Sequence, residues 1–322
     1  LATASILFCI TYGLMIIFTK RRPLIACISA AIFVVLRILP YQDVFFAIDW
    51  NVILMIAGTM GLVALFTESK MPQRIADKII NGLPDVKWII VSLSLFAGFI
   101  SAFMDNVATV LMLAPIAVLL SKKLNISPVK PIIAISISAN LQGAATLVGD
   151  TTSILLGSRL GMNFFDFFWY LGKPSLFFSV EIAAVAATGI IYFVFRKAEQ
   201  KPDKVELTKV TDYMPSILLC IMVVLMIAAS FLPEDKKPQI VNGLICSVLL
   251  IVGIVYNMIK NKNCSILKTV KDEFDFETLF LLIGLFVIIA AVNKAGLIQA
   301  IADLFLKMGG SVFLIYSIIV WG

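Results

Sequence analysis

Long apolar runs separated by short charged loops form the dominant pattern of this chain. A bilayer core takes roughly 20 apolar helical residues per crossing. Runs of about that length predict simple membrane-spanning helices at Thr3–Thr19, Leu24–Leu39, Trp50–Phe66, Leu171–Phe195, Tyr213–Leu232, Gln239–Met258 and Glu277–Val292. The pattern therefore predicts an all-α polytopic membrane protein whose immediate partner is the lipid bilayer of the plasma (inner) membrane.

Two further apolar stretches do not fit a single crossing. Val86–Ser121 is too long for one span, and Asp105 and Asn106 interrupt it near its middle. We predict a re-entrant helical hairpin over residues 86–121, which enters and leaves on the same side of the membrane. Val129–Ser158 contains polar residues and a glycine at Asn140–Gly143. We predict a broken transmembrane helix over residues 129–158 that is unwound at this point.

Basic residues lie mainly in the loops between the predicted spans, where they set orientation. If residues 86–121 form a re-entrant hairpin, Lys122, Lys123 and Lys130 fall on the cytoplasmic side, as the positive-inside rule requires. A full crossing would place them outside. The net charge of +6 is therefore explained by membrane orientation, and we expect no nucleic-acid partner.

One segment of the chain recurs. Asp49–Gly58 aligns without gaps with Asp275–Gly284, and the same register pairs Ile75–Asp77 with Ile301–Asp303. Five predicted crossings separate the two copies, and an odd number inverts the second copy, as in many secondary transporters. The register places the partner of Asp105 just after Gly322, so we expect the second hairpin and the second broken helix there.

The predicted fold is an inverted-repeat secondary transporter with a truncated second repeat. Residues 1–195 form the first half: two spans, a third span, an interfacial helix at Met71–Leu83, the hairpin, the broken helix and a long span over residues 171–195. Residues 196–212 are charged without apolar periodicity and predict a cytosolic linker. Residues 213–322 form the incomplete second half.

Asp105 and Asn106 are the strongest candidates for chemistry. An ionisable residue at membrane depth costs several kcal/mol unless it faces a partner, an ion or water. Together with Asn140, they are candidate sodium ligands, because hard cations prefer several oxygens. Asp105 could instead bind a proton, since burial favours the neutral acid, or could simply cap a helix.

The predicted break at Asn140–Gly143 is the second candidate. Glycine lets backbone approach an ion or substrate closely, and the arm expected from Ala144 would point its N–H groups at an anionic substrate. The alternative is helix packing through glycine. Asp150 is either a second titrating group or a cap of that arm. Glu181, alone in an apolar span, is more simply a bundle contact than a proton site.

The composition excludes several function classes. With 61% hydrophobic residues and 14% charged residues, the chain is not an ordinary soluble domain. The absence of histidine removes histidine-based zinc sites and Ser-His-Asp triads. Five scattered cysteines without a C-x-x-C pair indicate neither a metal site nor a disulfide framework. We therefore expect no enzyme and no cofactor beyond a coupling sodium ion or proton.

Two rival classes stay open as remote alternatives. A membrane-embedded aspartyl enzyme would need Asp105 and Asp150 to face each other, and nothing in the sequence organises them for proton sharing. The other form of this alternative is a membrane scaffold that transports nothing. A channel would need a continuous polar pathway, whereas the polar groups of this chain converge at the two predicted breaks.

The motifs at the two breaks resemble the ion transporter superfamily. The hairpin motif runs from Ser101 through Asp105, Asn106 and Thr109 to Pro115, and the second motif is Gly143-Ala-Ala-Thr146-Leu-Val-Gly149-Asp150. That group includes citrate-transporter-like permeases, sodium/dicarboxylate symporters, arsenite permeases, the melanosomal P protein and D-type sodium/proton antiporters. The likeness extends over nearly the whole chain in architecture and is specific over about 60 residues.

The resemblance implies an ion-coupled secondary transporter that moves a small anion, such as a di- or tricarboxylate or an oxyanion, by alternating access. The Asp105-Asn106 tip is similar to the P-protein and D-type antiporter branch, so a sodium/proton antiporter is the alternative; in that branch the residues matching Asp105, Asn106, Asn140 and Asp150 are implicated in ion handling. A homodimer is compatible with the resemblance. The candidate ion- and substrate-binding residues are Ser101, Asp105, Asn106, Thr109, Asn140, Gln142, Gly143, Thr146, Gly149, Asp150 and Thr152.

The chain departs from these relatives at two places. They usually carry Gly-Gly where this chain has Gln142-Gly143, and Pro-Pro-Asn where it has Thr151-Thr152-Ser153. A hydroxyl group can replace an amide oxygen as a ligand, but the geometry of the arm and the identity of the substrate become open questions.

Overall fold

The chain is helical almost throughout in a computed structural model, which describes residues 2–123, 127–200, 205–232, 238, 240–261, 274–300 and 303. The prediction of an all-α polytopic membrane protein is confirmed. A two-residue antiparallel ribbon, β1 (Trp169–Tyr170) with β2 (Lys173–Pro174), interrupts the helices. The helices are α1 (Ala2–Ile17), α2 (Arg22–Val35), α3 (Tyr41–Ala47), α4 (Trp50–Glu68), α5 (Met71–Gly82), α6 (Val86–Ser101), α7 (Asn106–Lys123), α8 (Val129–Gly143), α9 (Thr151–Leu160), α10 (Leu176–Phe195), α11 (Met214–Ser230), α12 (Val241–Asn261) and α13 (Phe276–Lys294).

Within the described ranges, α4, α10, α12 and α13 are each long and apolar enough to cross a membrane. The first two predicted spans are shorter than expected. Helix α1 and the helical stretch Thr19–Val35 meet at 115° across a break of a few residues, so they form a broken span or a re-entrant loop. Helices α6, α7 and α11 are apolar but shorter; for α6 and α7 this is the length expected of hairpin arms.

The chain divides into two compact units. One combines residues 1–49 with residues 275–322, and the other is residues 50–274. This division differs from the predicted sequence halves, and its boundaries fall at the starts of the two aligned repeat segments. The reason lies in helix pairing, since α2 packs on α13 in the first unit and α4 packs on α12 in the second.

The same helix contact occurs once in each unit. An ideal Cβ on Gly284 would lie 2.8 Å from the backbone carbon of Ala26, and one on Gly58 would lie 2.6 Å from that of Cys246. Gly58 and Gly284 are equivalent in the repeat alignment. Small residues at such points let helix backbones approach closely in membranes.

A hydrogen bond accompanies the contact in both units. The Cys27 thiol donates to the carbonyl oxygen of Phe280 at 3.4 Å, and the Ser247 hydroxyl donates to that of Leu54 at 3.2 Å. Leu54 and Phe280 are again equivalent in the repeat alignment. The recurrence supports the repeat from geometry that the alignment did not use. The continuation of the alignment at Ile301 and Ala302 lies outside the described residues.

Helices α6 and α7 form the two arms of the predicted hairpin. Both arms contact α5. The three helices share an apolar core that includes Ala76, Ile80, Ile89, Leu93, Ala97, Leu113 and Leu120. This packing fixes the arms, so that the turn between them, residues 102–105, is held as a tip.

The predicted linker is anchored rather than free. Its described residues 205–212, here called the docking segment, bind α5. The Asn81 side chain forms two hydrogen bonds with the backbone of Val205, each 2.8 Å long. The Asp77 carboxylate accepts from the Thr208 amide at 2.8 Å and from its hydroxyl at 2.6 Å. The pattern of apolar residues could not predict this docking, because these contacts are hydrogen bonds between polar groups.

Candidate functional site

The hairpin tip is built around a helix cap. The Asp105 carboxylate accepts from the Ala108 amide at 3.0 Å. Its backbone carbonyl accepts from the Thr109 amide at 3.0 Å and from the Thr109 hydroxyl at 2.9 Å. Asp105 therefore satisfies amide groups at the start of α7, where the helix dipole favours a negative charge. Asp105 therefore acts as a helix cap, and binding of an ion would be a role in addition to the cap.

The break in the second element lies later than predicted. Helix α8 continues through Gly143, and residues 144–150 form the unwound segment before α9 begins at Thr151. The prediction of unwinding at Asn140–Gly143, with an arm from Ala144, is therefore wrong. The amides of Asn140 and Gln142 bond to side chains of other helices instead of competing for their own backbone, so α8 keeps its regular hydrogen bonds there.

Two side chains near the end of α8 connect it to the tip and to α10. The Asn106 amide nitrogen donates to the side-chain oxygen of Asn140 at 2.7 Å. Gln142, two residues further along α8, donates to the carboxylate of Glu181 on α10 at 3.0 Å. The two predicted elements therefore lie within side-chain reach of each other, and Glu181 joins the region.

The unwound segment also packs directly on the backbone of the tip. The Thr146 hydroxyl donates to the carbonyl of Ala102. An ideal Cβ on Gly149 would lie 2.5 Å from the Gly143 oxygen, 2.7 Å from the Ser101 oxygen and 3.0 Å from the Ala102 oxygen. Only glycine leaves room for these three carbonyl oxygens. Gly149 is therefore the point at which tip and break touch backbone to backbone.

A small cavity lies beside this contact. Its walls come from α4, the tip, the unwound segment and the start of α9, and its volume is about 20 Å³. A space of this size holds one water molecule or one small ion. Asp105 and Asp150 both line it. The lining is completed by Ile56, Thr59, Met60, Val63, Val148, Gly149, Thr151 and Ile154.

Asp150 occupies the N-cap position of α9, but its side chain makes no cap bond to backbone. Its two carboxylate oxygens accept from the hydroxyls of Thr151 at 3.2 Å and Thr152 at 2.9 Å. The start of α9, with its partial positive charge, stabilises this carboxylate. An anionic substrate is therefore not expected at the α9 N-terminus unless a cation offsets Asp150.

The predicted site residues fall into four groups. Asp105, Gly149 and Asp150 line the cavity, while Asn106 and Asn140 bond to each other, so the structure does not combine Asp105, Asn106 and Asn140 as one ligand set. Gln142 is directed to Glu181. The remaining predicted residues serve the local scaffold: Ser101, Thr109, Gly143 and Thr146 are buried, and Thr152 is exposed and bonded to Asp150.

Sequence reasoning missed two polar residues of the cavity lining, Thr59 and Thr151. Thr59 of α4 is buried, and its hydroxyl donates to the carbonyls of Met55 at 2.9 Å and Ile56 at 3.0 Å. Thr151 was noted only as a departure from relatives. A single threonine in an apolar span gives no signal, because it can bond to its own helix. Within the described residues, no three His, Cys, Asp or Glu side chains group as metal ligands.

Comparison with known proteins gives consistent results. A family model described as a citrate transporter matches residues 12–322. A 46 kDa membrane protein of Mycobacterium leprae is 29% identical over 316 residues, which are 93% of this chain and 70% of that protein. An uncharacterized transporter of Mycobacterium tuberculosis is 27% identical over 315 residues, with the same shares. The P protein of Homo sapiens is 34% identical over 126 residues, which are 37% of this chain and 15% of that protein.

Proposed function

Because this chain belongs to the citrate transporter family and is a secondary transporter of the membrane, we propose that it moves a small anion coupled to sodium ions or protons. The anion is a di- or tricarboxylate or an oxyanion, the mechanism is alternating access, and the membrane is the plasma (inner) membrane. The observation that carries the proposal is the meeting of the hairpin tip with the broken helix at a cavity lined by Asp105 and Asp150.

The cavity is proposed as the site of the coupling cation. Asp105 and Asp150 supply carboxylate oxygens, and Thr59 of α4 and Thr151 of α9 also line the cavity. Oxygen donors of this kind suit a sodium ion. With no cation bound, two ionised carboxylates would repel an anionic substrate from the region. Binding of the cation removes this repulsion, which gives a physical reason for coupled movement.

The substrate itself is proposed to bind outside the cavity, whose volume of about 20 Å³ suits a water molecule or a small ion. The proposed polar contacts are two exposed side chains: Asn140, which bonds to Asn106, and Thr152, which bonds to Asp150. Alternating access would then shift the tip and the break together, since Gly149 and the Asn106–Asn140 bond connect them.

A sodium/proton antiporter is the second candidate. The observation favouring it is that both carboxylates of the site line a space of about 20 Å³, which suits a small ion. Such a pair could exchange sodium for protons with no organic substrate.

The two candidates are separated by reconstituting the full-length protein in liposomes. Radiolabelled citrate, malate and arsenite are offered with an inward sodium or proton gradient. A pH dye trapped inside the liposomes reports the internal pH. Saturable, gradient-dependent uptake of one anion is expected. Anion uptake at background together with sodium-driven proton efflux would reject the anion carrier in favour of the antiporter.

A further inference from the structure

Glu181 lies on the protein-facing side of an otherwise apolar helix. It is the one charged residue of α10, Leu176–Phe195. The side chains of Ile191 and Phe195, on the same helical face, are buried, and Glu181 is half-buried while its neighbour Ile182 is exposed. The carboxylate is therefore directed toward the protein and not toward lipid.

Glu181 forms a specific hydrogen bond with a side chain of α8. The Gln142 amide donates to a Glu181 carboxylate oxygen at 3.0 Å. Gln142 can lie there because residue 98 of α6 is glycine: an ideal Cβ on Gly98 would be 2.9 Å from Gln142 Cγ. Neither Gln142 nor Glu181 lines the cavity that contains Asp105 and Asp150. The pair is a separate polar site beside the same break.

The surroundings of Glu181 offer little to balance a negative charge. Helix α10 packs on α6 and α8, whose charged residues are Lys87 and Lys130. Lys87 is paired with Glu199 at 3.2 Å, and its neighbour Trp88 stacks at 5.2 Å on Tyr192, at the other end of α10. Lys130 lies about 18 Å along α8 from Gln142, at 1.5 Å per residue.

The segment before α10 supplies no ion pair to Glu181. Its charged residues are Asp166, which accepts from the Asn163 amide at 2.6 Å, and the exposed Lys173. In addition, Gln142 is in the last turn of α8, the negative end of that helix dipole. Within the described residues, an ionised Glu181 thus has one amide donor and no cation.

We propose that Glu181 is a proton-binding site of the transporter and that Gln142 holds it in both protonation states. An ionisable side chain within an apolar span is a candidate functional site, because its charge is costly there unless it faces a partner, an ion or water. A glutamine amide suits either state, because its nitrogen donates to the carboxylate and its oxygen accepts from the protonated acid. Proton uptake at Glu181 would therefore cost no hydrogen bond.

The proposal deepens the proposed function, on which its coupling role rests: the proton bound by Glu181 is carried with, or against, the anion. It also separates the two ions in space, with sodium at the Asp105–Asp150 cavity and the proton at Glu181. Proton binding itself can be measured without any transport assay.

Infrared difference spectroscopy of the purified full-length protein in liposomes tests the binding step. The carbonyl stretch of a protonated carboxyl group is followed as pH is changed, for wild type, Glu181→Gln and the exposed control Glu206→Gln. We expect one titrating band to disappear in Glu181→Gln and to remain in Glu206→Gln. In Gln142→Met, of similar shape but without the amide, the band should shift. A Glu181→Gln spectrum identical to wild type would overturn the proposal.

Transport then tests the coupling step. With radiolabelled citrate, Glu181→Gln should lose the part of uptake driven by a proton gradient and keep the part driven by a sodium gradient. Retention of the proton-driven part would overturn the coupling role. If citrate is not transported by wild type, the proposed function fails on that substrate, and the infrared result still decides whether Glu181 binds a proton.

Discussion

Asn106 at the hairpin tip donates its side-chain amide to Asn140 of the broken helix across 2.7 Å. The residues are 34 positions apart in sequence, and each lies at the end of a different helix. A hydrogen bond between two side-chain amides of different helices is a specific link between those helices. In the proposed mechanism, this link ties together the two elements that move as access alternates.

We expect this link to be measurable as a coupling energy. Asn106→Ala and Asn140→Ala should each lower stability by about 1 kcal/mol, and the double variant should cost less than the sum of the two. Thermal unfolding in detergent gives the stability of the full-length wild type, the two single variants and the double variant. Strict additivity would show that the bond contributes nothing. Asn106→Ala combined with Gln42→Ala, an exposed residue of α3, serves as the additive control.

Gly149→Ala should damage the site more than any conservative change near it. A Cβ at this position meets three carbonyl oxygens at 2.5, 2.7 and 3.0 Å, and overpacking of this kind costs about 1–3 kcal/mol, occasionally more. The expected result is a lower unfolding temperature and loss of gradient-driven uptake. Gly189→Ala is the matched control, because nothing lies within 4 Å of its added Cβ. Equal behaviour of the two variants would contradict the close approach.

The docking segment should stabilise α5 through Asp77. Asp77→Ala leaves the amide and hydroxyl of the partly buried Thr208 without their acceptor, a loss of about 1 kcal/mol. Limited proteolysis should then cut residues 205–212 faster than in wild type. The exposed Glu206→Gln in the same segment should leave the cleavage rate unchanged. Unaltered cleavage of Asp77→Ala would indicate that this contact does not hold the segment.

Sequence patterns predicted the elements of this fold better than their contacts. Asp105 and Asn106 located the hairpin tip, because an apolar run at membrane depth tolerates a carboxylate only where it faces protein, an ion or water. The break was placed too early, since sequence cannot show that Asn140 and Gln142 have partners on other helices. Thr59 went unnoticed for the same reason: its role comes from the wall that α4 contributes to the cavity.

The repeat illustrates the same limit. Alignment paired Gly58 with Gly284 through nearby apolar residues, yet only the structure shows that both glycines admit another helix's backbone. The alignment could not reveal that the two copies pack on α12 and α2, because helix pairing depends on residues far away in sequence.

Asp105→Asn tests the central claim most directly, because asparagine caps a helix about as well as aspartate but carries no charge. The measurement is sodium-driven citrate uptake by the full-length protein in liposomes, with thermal unfolding of the same preparation. We predict an unfolding temperature near that of wild type and loss of the sodium-dependent uptake; Asp105→Ala should lose both. Undiminished sodium-dependent uptake by Asp105→Asn would contradict the account, since Asp105 would then be a helix cap and not part of a coupling-ion site.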